Sequence, residues 1–340
     1  MEPVKVSVLI PAYNAESTVE PALASMLRQT FAGFEIVVVN DGSTDSTARI
    51  LDSTAGRDHR VRVIHTPQRG IIDALNTGIA ECRGELIARM DADDVSHPRR
   101  LAMQVALMDE RPDVSVCGTL VRMFPRQQLL GGLARYEQWL NSLVTSDQIA
   151  RDIFVESPLA HPSVMMRREE LVELGGYQDH GWAEDYDLWL RYFVAGKRFA
   201  KVEETLVFWR QSEGRLTFTD PRYSVENFLR AKAHYLAQAI SGSLLSAQQC
   251  VILWGAGKTG RRLSKHLLRE GIDLSAVIDI DPAKIGRTLR GKPIVGVGYL
   301  HGRRDAFVIA AVSSHGAREL IREQLRGLGL SEGLDFVCAA

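Results

Sequence analysis

Apolar residues in the first part of the chain concentrate in short runs, Val6 to Ile10, Glu35 to Asn40, Val61 to His65 and Leu86 to Met90. Between them the apolar positions recur every three to four residues. Runs of the first kind read as strands buried on both faces and stretches of the second kind as helices, so the alternation predicts a layered α/β fold with parallel strands. Ser17 and Glu20 have the spacing of an S-x-x-E capping box, and Val19, Leu23, Met26 and Leu27 follow at helical spacing, which predicts a crossover helix. Pro98 opens another helix, with Leu101, Val105 and Met108 on one face, before a strand from Val114 to Cys117. Residues 123–160 show no clear period and carry Gly131, Gly132, Tyr136 and Trp139, the marks of a variable excursion. Order returns with Ser163 to Met166, a short helix closed by Gly175-Gly176, and a helix from Asp185 to Ala195.

Beyond a helical stretch at 222–240, Ser241-Gly242-Ser243 and Ser246 to Gln249 read as a polar linker and put a boundary near 245. A second α/β unit follows. Its strands are expected at Cys250 to Trp254, Ala276 to Ile280 and Ala306 to Val312, and its helices at Lys258 to Arg269 and Ala317 to Leu328. This gives a first domain over 1–220, a helical connector and linker over 221–248, and a small domain over 249–340. A chain of 340 residues is long enough for two ordinary cores.

Composition narrows the class. With 45% hydrophobic and 24% charged residues the chain should fold as a globular protein, and no apolar run approaches the ~20 residues that cross a bilayer. The first residues lack the basic start and cleavage site of a secretory signal, so the cytoplasm is the default compartment, with peripheral membrane contact left open. The four cysteines lie far apart with no C-x-x-C pair and are expected as buried thiols. Residues 1–248 carry 27 Lys and Arg against 33 Asp and Glu, and residues 249–340 carry 14 against 9. A mildly basic second half suits a small anion but is too weakly charged for nucleic acid.

In parallel α/β sheets ligands sit beyond the carboxyl ends of the strands. Those positions here hold Pro11-Ala12-Tyr13-Asn14, then Asn40-Asp41-Gly42-Ser43-Thr44-Asp45, then Asp91-Ala92-Asp93-Asp94. Asp41 and Asp45 also suit a turn or helix cap. The third cluster is sharper, because neighbouring carboxylates repel unless a cation or hydrogen-bond donors neutralise them. Mg2+ or Mn2+ is the economical answer, and such ions usually complete their shell with water and phosphate oxygens, which points to a diphosphate ligand.

Taken in order, Val6 to Asn14, Val37-Val38-Val39-Asn40-Asp41-Gly42-Ser43-Thr44-Asp45, Gly70 with Asn76-Thr77-Gly78, Arg83-Gly84-Glu85, Asp91-Ala92-Asp93-Asp94, His161-Pro162-Ser163, Arg167-Arg168, Gly175-Gly176-Tyr177 and Glu184-Asp185-Tyr186-Asp187-Leu188-Trp189-Leu190-Arg191 resemble the family 2 glycosyltransferases of the GT-A fold. The resemblance covers about residues 4–218. It implies a mostly parallel sheet flanked by helices and a hexosyltransferase-like enzyme. The implied reaction is inverting transfer of a sugar from a nucleotide-diphosphate donor to a hydroxyl of a glycan or glycolipid acceptor, in polysaccharide or glycoconjugate assembly. By the same resemblance Tyr13 lines the base pocket, Asp41 accepts from the base, and Asn76 shapes the wall beside the nucleotide. Asp91 and Asp93 form the D-x-D motif, with Asp93 the direct metal ligand, and Asp185 is the general base. A base is required because the acceptor hydroxyl is a poor nucleophile. The Glu184-Asp185 pair is also what an ordinary helix N-terminus carries, and Trp182 suits either sugar stacking or a core anchor. His161 reads first as a structural histidine. Two positions depart from the family pattern: Leu75 stands where many members have Arg, and Ser212 where many have His near the metal or diphosphate, with Arg210 a candidate phosphate partner. Acceptor selection is expected in 123–160 and around Trp182.

In the second half, Val251 to Trp254 runs into Gly255-Ala256-Gly257-Lys258-Thr259-Gly260, a G-x-G-x-x-G between strand and helix, with Asp279 at the end of the next strand, where a ribose-binding acid belongs. The resemblance is to Rossmann-like domains that bind a nucleotide or dinucleotide. Two other functions remain in view at this point. One is a nucleotide-responsive regulatory protein with an inactive transferase domain, and the other an NAD-dependent oxidoreductase, against which the missing catalytic Tyr-Lys or His set argues.

Overall fold

The computed structural model describes residues 4–129, 131–212, 214–242, 244–245, 250–303 and 305–340. The expected linker lies outside the described residues at 243 and 246–249. The chain divides into two compact units: Met1–Ile149, Pro158–His180 and Lys197–Thr219 form the first, and Ala150–Ser157, Gly181–Gly196 and Asp220–Ala340 the second.

The first unit is built on eight strands, β1 (Val6–Ala12), β2 (Phe34–Asp41), β3 (Val61–Thr66), β4 (Leu86–Arg89), β5 (Val95–Ser96), β6 (Val114–Phe124), β7 (Met165–Arg167) and β8 (Arg198–Arg210). They lie in the order β3-β2-β1-β4-β7-β6-β8-β5. The pairings among β1 to β4 and between β6 and β8 are parallel, while β7 runs antiparallel to β4 and β6, and β5 antiparallel to β8. Every residue of β1 and β2 is buried, as their mainly apolar runs predict for strands covered on both faces. Val8, Ile10, Ile36, Val38, Leu86 and Ala88 pack with Leu23, Met26, Leu101, Val105 and Met108 from the helices Val19–Leu27 and Arg100–Glu110 into one core.

Two local expectations need correction, and one strand was not expected. The Ser17–Glu20 capping box does not form. The chain turns so that the amides of Thr18 and Val19 both reach Ala15 O, the helix starts at Val19, and Thr18 stands at its cap without a side-chain cap bond. Residues 123–160 are not irregular throughout, because helices Gly131–Ser142 and Ser146–Asp152 lie within them. The long strand β8 had no clear signal, since Lys201, Glu203 and Glu204 break its apolar run. Lys201 is buried, and its Nζ donates to Leu140 O at 2.6 Å, near the end of the first of those helices; burial pushes its pKa down to about 7.

The second unit carries β9 (Cys250–Trp254), β10 (Leu274–Ile278), β11 (Thr288–Leu289), β12 (Lys292–Val295), β13 (Ala306–Ala310) and β14 (Phe336–Cys338), in the order β11-β12-β10-β9-β13-β14. Apart from the antiparallel β11–β12 pair, its neighbours are parallel. Three expected strands are present, and β11, β12 and β14 are additional, each too short to leave a period. Residues 150–157 belong here, where Asp152 pairs with the buried Arg322 of helix Ala317–Gly327, which Glu332 also holds at 2.9 Å. The four cysteines are free and buried, as expected.

Candidate active site

Three strand ends of the first unit build the site. The loops after β1 and β2 are stitched together: Asn14 N–H donates to Ser43 Oγ at 3.0 Å, Thr44 N–H to Asn14 Oδ1 at 2.8 Å, and Glu16 N–H to Asp45 Oδ2 at 3.1 Å. Asn14, Ser43, Thr44 and Asp45 thus serve the loops themselves. Gly42 makes the turn at φ +67°, where a Cβ would lie 2.5 Å from Gln68 N. Asp41, at the end of β2, is buried and accepts from the amides of Arg69 and Gly70, both at 2.8 Å, which draws the loop after β3 toward it. Tyr13, by contrast, is 45% exposed.

Asn76, on helix Ile71–Glu81, is a bracket. Its Nδ2 donates to Tyr177 O at 2.8 Å, and its Oδ1 accepts from Tyr177 N at 2.9 Å. Both ends of the amide hold the turn at Gly175-Gly176. Leu75 beside it is fully buried in the core. His161 is buried too, with Nε2 and Tyr177 Oη 2.7 Å apart, and burial together with the Arg89 charge pushes its pKa well below the usual range. It is a structural histidine.

After β4, Asp91, Asp93 and Asp94 bring carboxylate oxygens within 4.8 Å of one another. Arg89, buried at the end of β4, pairs with Asp91; burial disfavours its charge, but the field of Asp91 prevails and keeps the guanidinium protonated. Burial and then the Asp91 charge push Asp93 up to about 6. Asp94 is 1% exposed and is driven well above the carboxylate range by burial and by its two neighbours. Its Oδ1 accepts from the amide of Arg210 at 2.6 Å, and its Oδ2 is buried with no hydrogen-bond partner among the described residues. A carboxylate trio with a buried vacant oxygen is a donor set that a hard divalent cation fits.

The last two residues at this edge come from the end of β8. Arg210 donates from Nε to Asp93 O at 2.7 Å and lies 4.5 Å over the Phe124 ring, so it braces the loop that carries the acids. Gln211 is buried, and its Nε2 has no partner among the described residues. Sequence reasoning quoted Asp94 without giving it a role, and missed Arg89 and Gln211. Burial of Asp94 and the meeting of the β8 end with the loop after β4 exist only in the folded unit.

Helix Glu184–Val194 belongs to the second unit, and three acids in its first turn have different surroundings. Glu184 is buried, with both oxygens 2.8 Å from Tyr223 Oη. Asp187 is fully buried and accepts from Trp182 Nε1 and Tyr235 Oη, each at 2.7 Å, and from Arg191 Nε at 2.8 Å. Of the two readings of Trp182, the core anchor is the one this geometry supports. Asp185 between them is half-buried, and its Oδ1 accepts from the amide of Tyr186.

In the second unit Gly255 follows β9, and Gly257 and Gly260 flank the start of helix Lys258–Arg269. A Cβ on Gly260 would lie 1.8 Å from Gly255 O, so this residue must be glycine for helix and loop to meet. Asp279 accepts from Ala256 N at 2.8 Å and Asp281 N at 2.9 Å and pairs with Lys284 Nζ at 3.2 Å. Burial opposes its charge, yet these donors hold its pKa below the usual range. The acid expected at a ribose therefore ties the glycine loop to the end of β10.

An α/β sheet with an acidic, cation-fitting cluster at its carboxyl edge defines a class of nucleotide-dependent enzyme folds rather than one chemistry. Comparison with known proteins narrows it. Residues 7–175 match the family described as Glycosyl transferase family 2. The putative glycosyltransferase EpsE of Bacillus subtilis (strain 168) is 31% identical over 228 residues, 66% of this chain and 79% of that protein. The amylovoran biosynthesis glycosyltransferase AmsE of Erwinia amylovora is 33% identical over 204 residues, 59% of this chain and 74% of that one. Among solved structures, S. aureus TarS 1-349 in complex with UDP-GlcNAc superposes with a TM-score of 0.54 at 20% identity, over 70% of this chain and 73% of that one. The mannosyltransferase PcManGT from Pyrobaculum calidifontis, in complex with GDP-Man and Mn2+, gives 0.50 at 18% identity, over 79% and 69%. These two show a shared GT-A-like fold. The chain belongs to glycosyltransferase family 2 and is a glycosyltransferase. No helix among its described residues is long and apolar enough to cross a membrane.

Proposed function

We propose that this enzyme transfers a sugar, with inversion at the anomeric carbon, from a nucleoside-diphosphate sugar to a hydroxyl of a glycan or glycolipid acceptor during polysaccharide or glycoconjugate assembly. The observation that carries the reading is the Asp91–Asp93–Asp94 cluster with its vacant buried oxygen. Asp93, Asp91 and Asp94 would hold Mn2+ or Mg2+, which when bound supplies neutralisation of the diphosphate charge. Tyr13 and the Asp41 loop frame the nucleoside, and Asn76 fixes the wall behind it by holding Tyr177. Asp185 has the base role on its place in the family motif. Its carboxylate takes the acceptor hydroxyl proton as oxygen bonds to the anomeric carbon and the bond from that carbon to the diphosphate oxygen breaks, a contribution of roughly 100 to 10,000-fold.

For the second unit we propose a Rossmann-like nucleotide-binding module over 249–340, joined to a first domain over 1–220 by 221–248. Its parallel strands β12-β10-β9-β13-β14, numbered from β9 as the first, follow the order 3-2-1-4-5 of dinucleotide-binding sheets, and Gly255, Gly257 and Gly260 lie where such a fold receives a phosphate. Calorimetric titration of the full chain with UDP and GDP, with and without Mn2+, tests the main reading. Mn2+-dependent binding that Asp93→Ala abolishes supports it, and binding indifferent to both refutes it.

A further inference from the structure

Two buried polar groups lack a hydrogen-bond partner, one in the acidic cluster and one on the residue that follows Arg210. Asp94 Oδ2 is a buried acceptor without a donor, and Gln211 Nε2 is a buried donor without an acceptor, both among the described residues. One sign of charge cannot satisfy both. A ligand that brings a cation together with oxygen-rich anionic groups does, and a metal-bound diphosphate is such a ligand.

Trp209, Arg210 and Gln211 leave the end of β8 in succession, and Arg215 follows one turn later. The guanidinium of Arg215 stacks 4.5 Å over the Trp209 ring, and its Nη1 donates to Gln211 Oε1 at 2.5 Å. It is tethered at two points and half-buried, and its positive field reaches the carboxylates of both Asp93 and Asp94. The other nearby arginines are committed, Arg89 to Asp91 and Arg210 to Asp93 O and the Phe124 face. Among the described residues the recorded hydrogen bond of the Arg215 guanidinium ends on a neutral amide, so its charge is not spent on a carboxylate partner.

We propose that Arg215, positioned by Gln211 and Trp209, binds the diphosphate of the donor at the edge of the acidic cluster. Gln211 Nε2 then donates to the same group. The planar fork of an arginine matches phosphate oxygens two at a time, and it stabilises the negative charge that accumulates on the diphosphate as the sugar leaves. The proposal rests on the donor reading above.

Calorimetry on the full chain with Mn2+ separates the two. The probes are UDP, GDP, UMP, GMP and inorganic pyrophosphate, applied to wild type, Arg215→Ala and Arg215→Lys. The expected result is that Arg215→Ala weakens the preferred diphosphate roughly 10 to 100-fold, leaves the matching monophosphate and Mn2+ alone nearly unchanged, and that Arg215→Lys recovers part of the loss. Equal losses on mono- and diphosphate, a changed affinity for Mn2+ alone, or no loss at all overturns the role of Arg215 while leaving the donor reading standing. Wild-type protein that takes none of the diphosphates overturns both.

Discussion

The three acids opening helix Glu184–Val194 make a sharp test, because stability and catalysis should fall on different members. Replacing Asp187 by Ala removes an anion with no exposed surface and strands three donors: Trp182 Nε1, Tyr235 Oη and Arg191 Nε. A buried neutral donor left without its acceptor costs about 1–3 kcal/mol, and breaking a buried ion pair from one side about 3–5 kcal/mol. The Arg191 side chain retains 11% exposure and so recovers some hydration. The net loss is therefore placed at about 3–5 kcal/mol rather than the sum, which lowers Tm by roughly 8–15 °C for a unit of this size. Asp185→Asn keeps the shape of the side chain and an oxygen for Tyr186 N, so it should move Tm far less than Asp187→Ala, yet reduce sugar transfer roughly 100 to 10,000-fold without loss of nucleotide affinity. Differential scanning calorimetry and a nucleoside-diphosphate release assay read both. An Asp187→Ala shift under about 2 °C, or an Asp185→Asn variant that melts as early as Asp187→Ala, would show that the division of roles between Asp187 and Asp185 is wrong.

Asp93 carries a pH dependence. Its folded pKa is raised to about 6, so the fold holds a proton there that the unfolded chain, near 3.8, has released. The stability from that proton is complete below about pH 3.8 and is lost as pH rises through 6. In chelator, Tm should therefore fall between pH 4 and 6.5, and Mn2+ affinity by calorimetry should rise over the same window; a flat profile contradicts the coupling. In the second unit Gly260→Ala should destabilise by about 1–3 kcal/mol, since its Cβ meets Gly255 O, while Gly257→Ala, with nothing within 4 Å, should change chemical denaturation by a few tenths at most. Asn76→Ala should cost about 1–3 kcal/mol by freeing both backbone groups of Tyr177, and a fully stable variant would show that water replaces the bracket.

How much of this was legible beforehand follows from the range of the interactions. Strands β1, β2 and β4 announce themselves because every residue in them is buried and most must therefore be apolar, and β3 by its valines and isoleucine. The loops after them are polar because sheet edges are where ligands and turns compete. What a local pattern cannot say is which polar group has been used up by the fold. Asp41, Asn76 and Asp279 all stand where a ligand contact was expected, and each spends hydrogen bonds on a distant loop. For Asn76 both amide ends are consumed, so its influence on the nucleotide is indirect, through Tyr177.

The reverse holds at the end of β8. Lys201, Glu203 and Glu204 hide this strand from any count of apolar residues, yet its register against β6 decides the acidic site. Pairing Trp209 with Met123 and Arg210 with Phe124 sets the ring under the Arg210 guanidinium and brings the Arg210 amide to Asp94. A slip of one residue would turn Arg210 to the opposite face and leave Asp94 with neither oxygen satisfied. The D-x-D carboxylates were visible as a motif because three acids adjoin in sequence, and Arg89 lies only two residues before Asp91, whereas Gln211 and Arg215 are far away in the chain and follow from the end of β8. The cluster therefore reads as a metal site from one loop, and as a site with a preferred anion only once β8 is in place.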